Sequence, residues 1–145
     1  EHNGTFRGNN HAFVTATAAL REFWADPKFA EDVARRGRIL EQRLDRMAKR
    51  HGLSTRGRGM MRGINVETGE IADKITGACF DEGLIIETSG AHGEIVKVLA
   101  PLVIDDETFN AGLDILEEAI AETIAPVDAS DVTGSKTDRK FGLAA

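Results

Sequence analysis

Two short stretches hold residue types that could do chemistry. In "NGTFRGNN" a threonine hydroxyl, Thr5, stands beside Gly4 and ahead of Phe6, with more glycine and asparagine around them. A hydroxyl next to successive free backbone amides can converge on a single anion, and phosphate is the usual one. A plain turn or a helix cap is the competing reading of so short a loop. In "IVKVLAP", Lys97 interrupts an aliphatic run. A buried, unpaired ammonium costs several kcal/mol, so Lys97 either reaches a sheet edge or meets an anion, and composition favours the edge.

The remaining reactive side chains form no constellation. There is no GxSxG, CxxC, HExxH or phosphate-loop motif. His2, His11, His51 and His92 lack metal-ligand spacing and read as exposed or capping residues, so no metal site is expected. Cys79 falls on an apolar helix face and reads as core, not nucleophile. A run of arginines from Arg35 to Arg46 is interleaved with Glu31, Asp32, Glu41 and Asp45, which suits a solvated or interface face better than a phosphate site.

The elements that must position these residues follow from periodicity. Residues 11–24 place Phe13, Ala16, Leu20, Phe23 and Trp24 at helical spacing, with Asn9 or Asn10 as the N-cap. A longer helix over 28–50 carries Phe29, Val33, Leu40, Leu44 and Met47 on one stripe and ends at Gly52. Glycine-punctuated sequence follows, in which "MMRGINV" reads as a strand whose glycine lets another backbone come close. A third helix places Ile71, Ile75 and Cys79 inward and is capped by Gly83. "LIIET" reads as a short buried strand, "SGAHGE" as a hairpin turn and "IVKVLAP" as the returning strand. A last helix, acidic in its first turn, carries Phe109, Leu113, Leu116, Ile120 and Ile124. The expected order is therefore a loop, two helices and then β-α-β-β-α, an α+β class.

With 145 residues and 41% hydrophobic composition, the chain suits one ordinary globular domain with a sizeable core. A net charge of −6 argues against a nucleic acid or an anionic membrane as partner. No apolar run approaches the roughly 18–20 residues of a membrane span. The single cysteine points to a reducing, cytoplasmic setting. The absence of an initiator methionine calls for processing or truncation as its explanation.

Taken in order, "EHNGTFRGNNHAFVTA", "RGRGMMRGINV", "DEGLIIETSG" and "VKVLAPLVIDDETF" resemble the C-terminal portion of the class III, fold-type-I aminotransferases that depend on pyridoxal 5'-phosphate. The likeness implies a fragment of a longer enzyme. The lysine that forms the Schiff base, the aspartate that meets the pyridine nitrogen and most of the cofactor-binding domain would lie outside this chain. No catalytic residue is therefore expected here, and the fragment alone should be inactive. By the same resemblance, Thr5, flanked by Gly4 and Phe6, would cross a subunit interface to hold the cofactor phosphate of the neighbouring subunit in a homodimer or homotetramer. Relatives commonly carry an arginine before a Pro-Pro-Leu sequence to grip a substrate carboxylate. Here Lys97 takes that place, offering a point charge without a planar fork.

The wording of the leading loop is nearest the branch that moves the amino group of L-glutamate to L-aspartate 4-semialdehyde, giving L-2,4-diaminobutyrate and 2-oxoglutarate for ectoine synthesis. The alternatives are another class III ω-aminotransferase, of the ornithine or 4-aminobutyrate type, and a non-catalytic α+β interaction module. The implied organisation is an interface loop with connecting helices (1–50), a small α+β domain (51–125) and a flexible tail (126–145). A dimer face uncovered by truncation would leave apolar side chains such as Phe13 and Trp24 bare.

Overall fold

The computed structural model describes residue 4 and residues 6–126. Thr5, the first three residues and all but the first residue of the expected tail lie outside the described residues. Eight elements follow in order: α1 (Asn10–Phe23), α2 (Lys28–Arg50), β1 (Ser54–Arg58), β2 (Met61–Asn65), α3 (Gly69–Asp81), β3 (Glu87–Ser89), β4 (Ile95–Leu99) and α4 (Asp106–Thr123). The strands form one antiparallel sheet in the order β1-β2-β4-β3.

Local chemistry sets the helix ends. Asn9, not Asn10, caps α1, accepting the His11 amide at 3.0 Å. Thr68 accepts the Ile71 amide to start α3, and Asp105 accepts the Thr108 amide at 2.7 Å to start α4. At the end of α2 the chain reverses through Gly52 at φ 68°, and the Leu53 amide returns to the Ala48 carbonyl at 2.8 Å. That left-handed backbone is nearly free for glycine and strained for other residues.

Helices α2, α3 and α4 cover one face of the sheet. Leu40 and Leu44 of α2 meet Ile64 of β2, Val96 of β4, Ile75 of α3 and Leu116 of α4 in a common core, each 1% exposed or less. Each such side chain contributes about 1.5–3 kcal/mol by leaving water. Cys79 belongs to this core, and burial pushes its thiol above the usual range.

Ion pairs then lock α2 onto α4. Arg35 and Arg36 both meet Asp106, and Arg43 meets Asp114 and Glu117. Part of the arginine-rich face is thus an internal seam, with Arg36 only 9% exposed.

Two expectations about strands need correction. Residues 54–58 form a strand that periodicity did not announce, so the observed order is β-β-α-β-β-α. "LIIET" is not a buried strand: only Glu87–Ser89 pairs with β4, and Ile85 is 83% exposed. Leucine and isoleucine there line a cavity and a surface, which an aliphatic run alone cannot distinguish from a core strand.

Helix α1 stands apart in its packing. None of its residues is buried. Phe13, Val14 and Leu20 are 60% exposed or more. Its far end is held by an aromatic cluster in which Trp24 meets Phe29 edge-on at 5.0 Å and Phe23 lies 5.3 Å from the same ring.

Candidate functional site

The leading loop is a tight turn that runs directly into α1. The Arg7 amide donates to the Gly4 carbonyl at 3.0 Å, and the Asn9 amide reaches the Phe6 carbonyl. Gly8 takes φ 79° within this turn. Gly4 is exposed, and Phe6 is 87% exposed. Between Glu1 and Glu22 the sequence carries no acid, so Arg7 and the positive end of α1 face no nearby carboxylate of their own segment. An exposed, acid-free turn at a helix start fits a phosphate dianion. The expected hydroxyl donor, Thr5, lies outside the described residues.

The second region is the sheet face turned away from the helices. Thr55 faces inward, its hydroxyl donating to Asp45 of α2 at 2.6 Å, so Arg56 must point the other way. Register then places Arg56 opposite Gly63, Gly63 opposite Lys97, and Lys97 opposite Glu87, one row across four strands on the open face. Lys97 is therefore on an interior strand, correcting the edge reading. It meets an anion within its own chain, donating from Nζ to Glu87 Oε2 at 2.9 Å. Glu87 was not singled out from the sequence, because only strand register brings it beside Lys97.

Beside that pair lies a cavity of about 440 Å³. It opens just before β3 begins, between Leu84, Ile86, the end of β4 and the Phe109–Leu113 side of α4, with Lys97 and Glu87 in its wall. The lining is mostly aliphatic, so the lysine–glutamate pair supplies most of its polarity. No hydrogen bond or ion pair among the described residues joins the leading loop to Lys97.

Among the described residues the histidines do not converge, and His2 lies outside them. His51 is buried at the end of α2, whereas His11 and His92 are exposed and well separated in the chain. The His92 amide is held by Glu94 Oε2 at 2.8 Å. Hydrogen bonds from the Glu94 and His92 amides keep the Glu94 carboxyl below its usual range.

The family model for aminotransferase class III matches residues 1–120. Diaminobutyrate–2-oxoglutarate transaminase from Halomonas elongata is 52% identical over 130 residues, 86% of this chain and 31% of that protein. The enzyme of the same name from Virgibacillus pantothenticus is 46% identical over 127 residues, 86% of this chain and 30% of that protein. The chain thus spans about a third of the length of these curated relatives. Among solved structures, a Bacillus anthracis aminotransferase is 26% identical with a TM-score of 0.70, covering 84% of this chain and 30% of the other. A lysine aminotransferase from M. tuberculosis is 25% identical with a TM-score of 0.72, covering 84% and 28%.

Proposed function

The chain belongs to the class III aminotransferases, and on that premise we propose that it is the C-terminal part of a diaminobutyrate–2-oxoglutarate transaminase. The family uses pyridoxal 5'-phosphate. When bound, that group supplies the electron sink for amino transfer, while the protein supplies orientation and charge. The complete enzyme would take an amino group from L-glutamate, release 2-oxoglutarate, and aminate the terminal carbonyl of L-aspartate 4-semialdehyde to L-2,4-diaminobutyrate. That is the entry into ectoine synthesis in the cytoplasm.

Each region has a place in this reading. Gly4 and Thr5 hold the cofactor phosphate of a neighbouring subunit in a homodimer or homotetramer, with residues 1–50 forming the interface loop and connecting helices. Residues 51–125 form the small domain that covers the substrate and excludes water. Lys97 attracts a substrate carboxylate, displacing the exposed Glu87. This chain supplies no proton-moving group at the reacting atom and is inactive alone.

The observation that carries the reading is the leading segment, a turn without acids followed by a 14-residue helix with none of its residues buried. A segment that leaves its own body to meet another subunit requires that pattern. The subfamily rests on the 52% identity with the Halomonas elongata enzyme.

The test is Thr5→Ala in the longer protein that contains this chain. Losing one hydrogen bond to a charged group should weaken cofactor retention by about 1–3 kcal/mol. Dialysis followed by cofactor absorbance reads this without an activity assay. Unchanged retention would remove Thr5 from the site. A preference for ornithine or 4-aminobutyrate over diaminobutyrate would overturn the subfamily.

A further inference from the structure

Helices α3 and α4 both end against their own polarity. A helix C-terminus carries partial negative charge and is stabilised by cations. Neither helix has a basic residue in its last turn; Glu82 stands at the C-cap of α3 and Glu122 in the last turn of α4. With Glu118 these carboxylates line a groove between the two helices, together with Ala78, Ile115 and Ala119. All three acids are exposed, and none has an ion-pair partner among the described residues.

The groove leads into the cavity beside β4. Gly112, Leu116, Ala119 and Glu122 follow one another at three- and four-residue spacing, so they form one row along α4. The first two line the cavity and the last two the groove. On the facing side, Glu82 of the groove precedes Leu84 of the cavity wall by two residues. One track therefore runs along α4, acidic near Thr123 and aliphatic near Gly112.

The chain beyond α4 carries the complementary order. Residues 134–145, "GSKTDRKFGLAA", set Lys136, Arg139 and Lys140 against the single acid Asp138, and then place Phe141 and Leu143. They lie outside the described residues and beyond the 1–120 that the family model matches. Gly112 is eleven residues before Thr123, about 16 Å along the helix. The 18 residues from Thr123 to Phe141 can span roughly 60 Å when extended, so reach is no obstacle. Spacing agrees as well. Glu118 lies about 9 Å from Gly112 along α4, and the three residues from Lys140 to Leu143 cover about 10 Å when extended.

We propose that residues 136–143 of this chain dock along the α3–α4 seam of their own body. Lys136, Arg139 and Lys140 meet the carboxylates of Glu82, Glu118 and Glu122, and Phe141 and Leu143 fill the aliphatic cavity. Apolar burial supplies the affinity, while the exposed ion pairs set direction and register. The tail thereby ties α4 to the segment Leu84–Ile86. This goes beyond the amino-transfer reading and needs no role for Lys97.

The experiment uses the longer protein that contains this chain, shortened after Pro126, and a fluorescent peptide of residues 134–145. The shortened protein should bind the peptide, read as a rise in anisotropy. The intact protein should not, since its own tail holds the seat. Intact protein carrying Phe141→Ala should take up the peptide, because its tail no longer fills the cavity. Phe141→Ala in the peptide should weaken binding to the shortened protein about tenfold. Gly112→Leu in the protein should act likewise, because a Cβ there would already lie 3.4 Å from Leu84 Cδ1 and the longer side chain enters the cavity. That exchange favours the helix, so the fold is kept. Glu118→Gln combined with Glu122→Gln should weaken binding about threefold and flatten its dependence on salt. A peptide with "FGL" moved ahead of "KTDRK" keeps the composition and should bind about tenfold more weakly.

Equal binding by the intact and shortened proteins overturns the proposal. So does no binding by both the shortened protein and the intact Phe141→Ala variant, a result that gives the seam to the rest of the longer chain. Equal affinity for the reordered peptide reduces the contact to unspecific charge and also overturns it. A fall in oligomer size on shortening, read by sedimentation, assigns the seat to the tail of a neighbouring copy and overturns docking within one chain.

Discussion

Helices α1 and α4 are built to the same recipe and meet opposite fates. Both carry aromatic and aliphatic residues at three- and four-residue spacing, and both begin at a side-chain cap. Helix α4 buries Phe109, Leu113, Leu116, Ala119 and Ile120, whereas α1 buries nothing. The difference lies in what faces them, because α4 lies over a sheet and against α2 and α3. Among the described residues, the apolar side of α1 has only the Phe23–Trp24–Phe29 cluster at one end. A periodic apolar stripe thus states that a face will be covered, and is silent on whether the cover belongs to the same chain.

The contrast is broken most directly in the core. Leu40 is fully buried against the sheet and α4. Leu40→Ala should destabilise the body of the protein by about 2–5 kcal/mol, the transfer loss plus the cavity left behind. A urea titration of the 145-residue chain, followed by far-ultraviolet circular dichroism, measures it. A loss below about 1 kcal/mol would mean that α2 is not anchored as described.

This division explains which parts of the molecule could be read ahead of the structure. Helices α2 and α4 were legible because their stripes are long and their ends carry Gly52 and Asp105. The hairpin of β3 and β4 and the close approach at Gly63 also followed from local chemistry. Strand β1, "STRGR", was not legible: it is a polar edge strand with a glycine inside and no apolar alternation. Lys97 was visible as an anomaly, but its partner Glu87 and its row-mate Arg56 are products of register, which single-strand patterns do not encode. The role of Thr5 came from a family resemblance, and that residue lies outside the described residues.

A smaller effect should separate the two regions in acid. Hydrogen bonds from Arg35, then Arg36, hold the Asp106 carboxyl below its usual range. A carboxyl with a lowered folded value stabilises the fold fully above its unfolded value, about 3.9. That stability is lost as pH falls through the lower, folded value. The midpoint of urea unfolding should therefore drop below about pH 4, and Asp106→Asn should flatten the drop. Asp105, lowered by the Thr108 amide and hydroxyl, adds to the same limb and leaves part of it in the variant. Identical slopes for the variant and the parent would remove the α2–α4 seam as a source of acid sensitivity.

The smallest expected effect is the most informative about α1. Phe13 is 62% exposed, so Phe13→Ala removes little packing within the chain. In the 145-residue chain its effect should stay within about 0.5 kcal/mol, and alanine's better helix propensity could even make it favourable. In the longer protein the same change should weaken subunit association, read as a shift toward monomer in sedimentation. Trp24, the chain's single tryptophan and 47% exposed, reports the same event, since covering it moves its emission to shorter wavelength. A loss above about 1 kcal/mol in the isolated chain would mean that α1 packs on its own body, because a mostly exposed side chain has few neighbours to lose. The comparison with α4 would then describe two degrees of the same burial, and the leading loop would have no free helix to carry it toward another subunit.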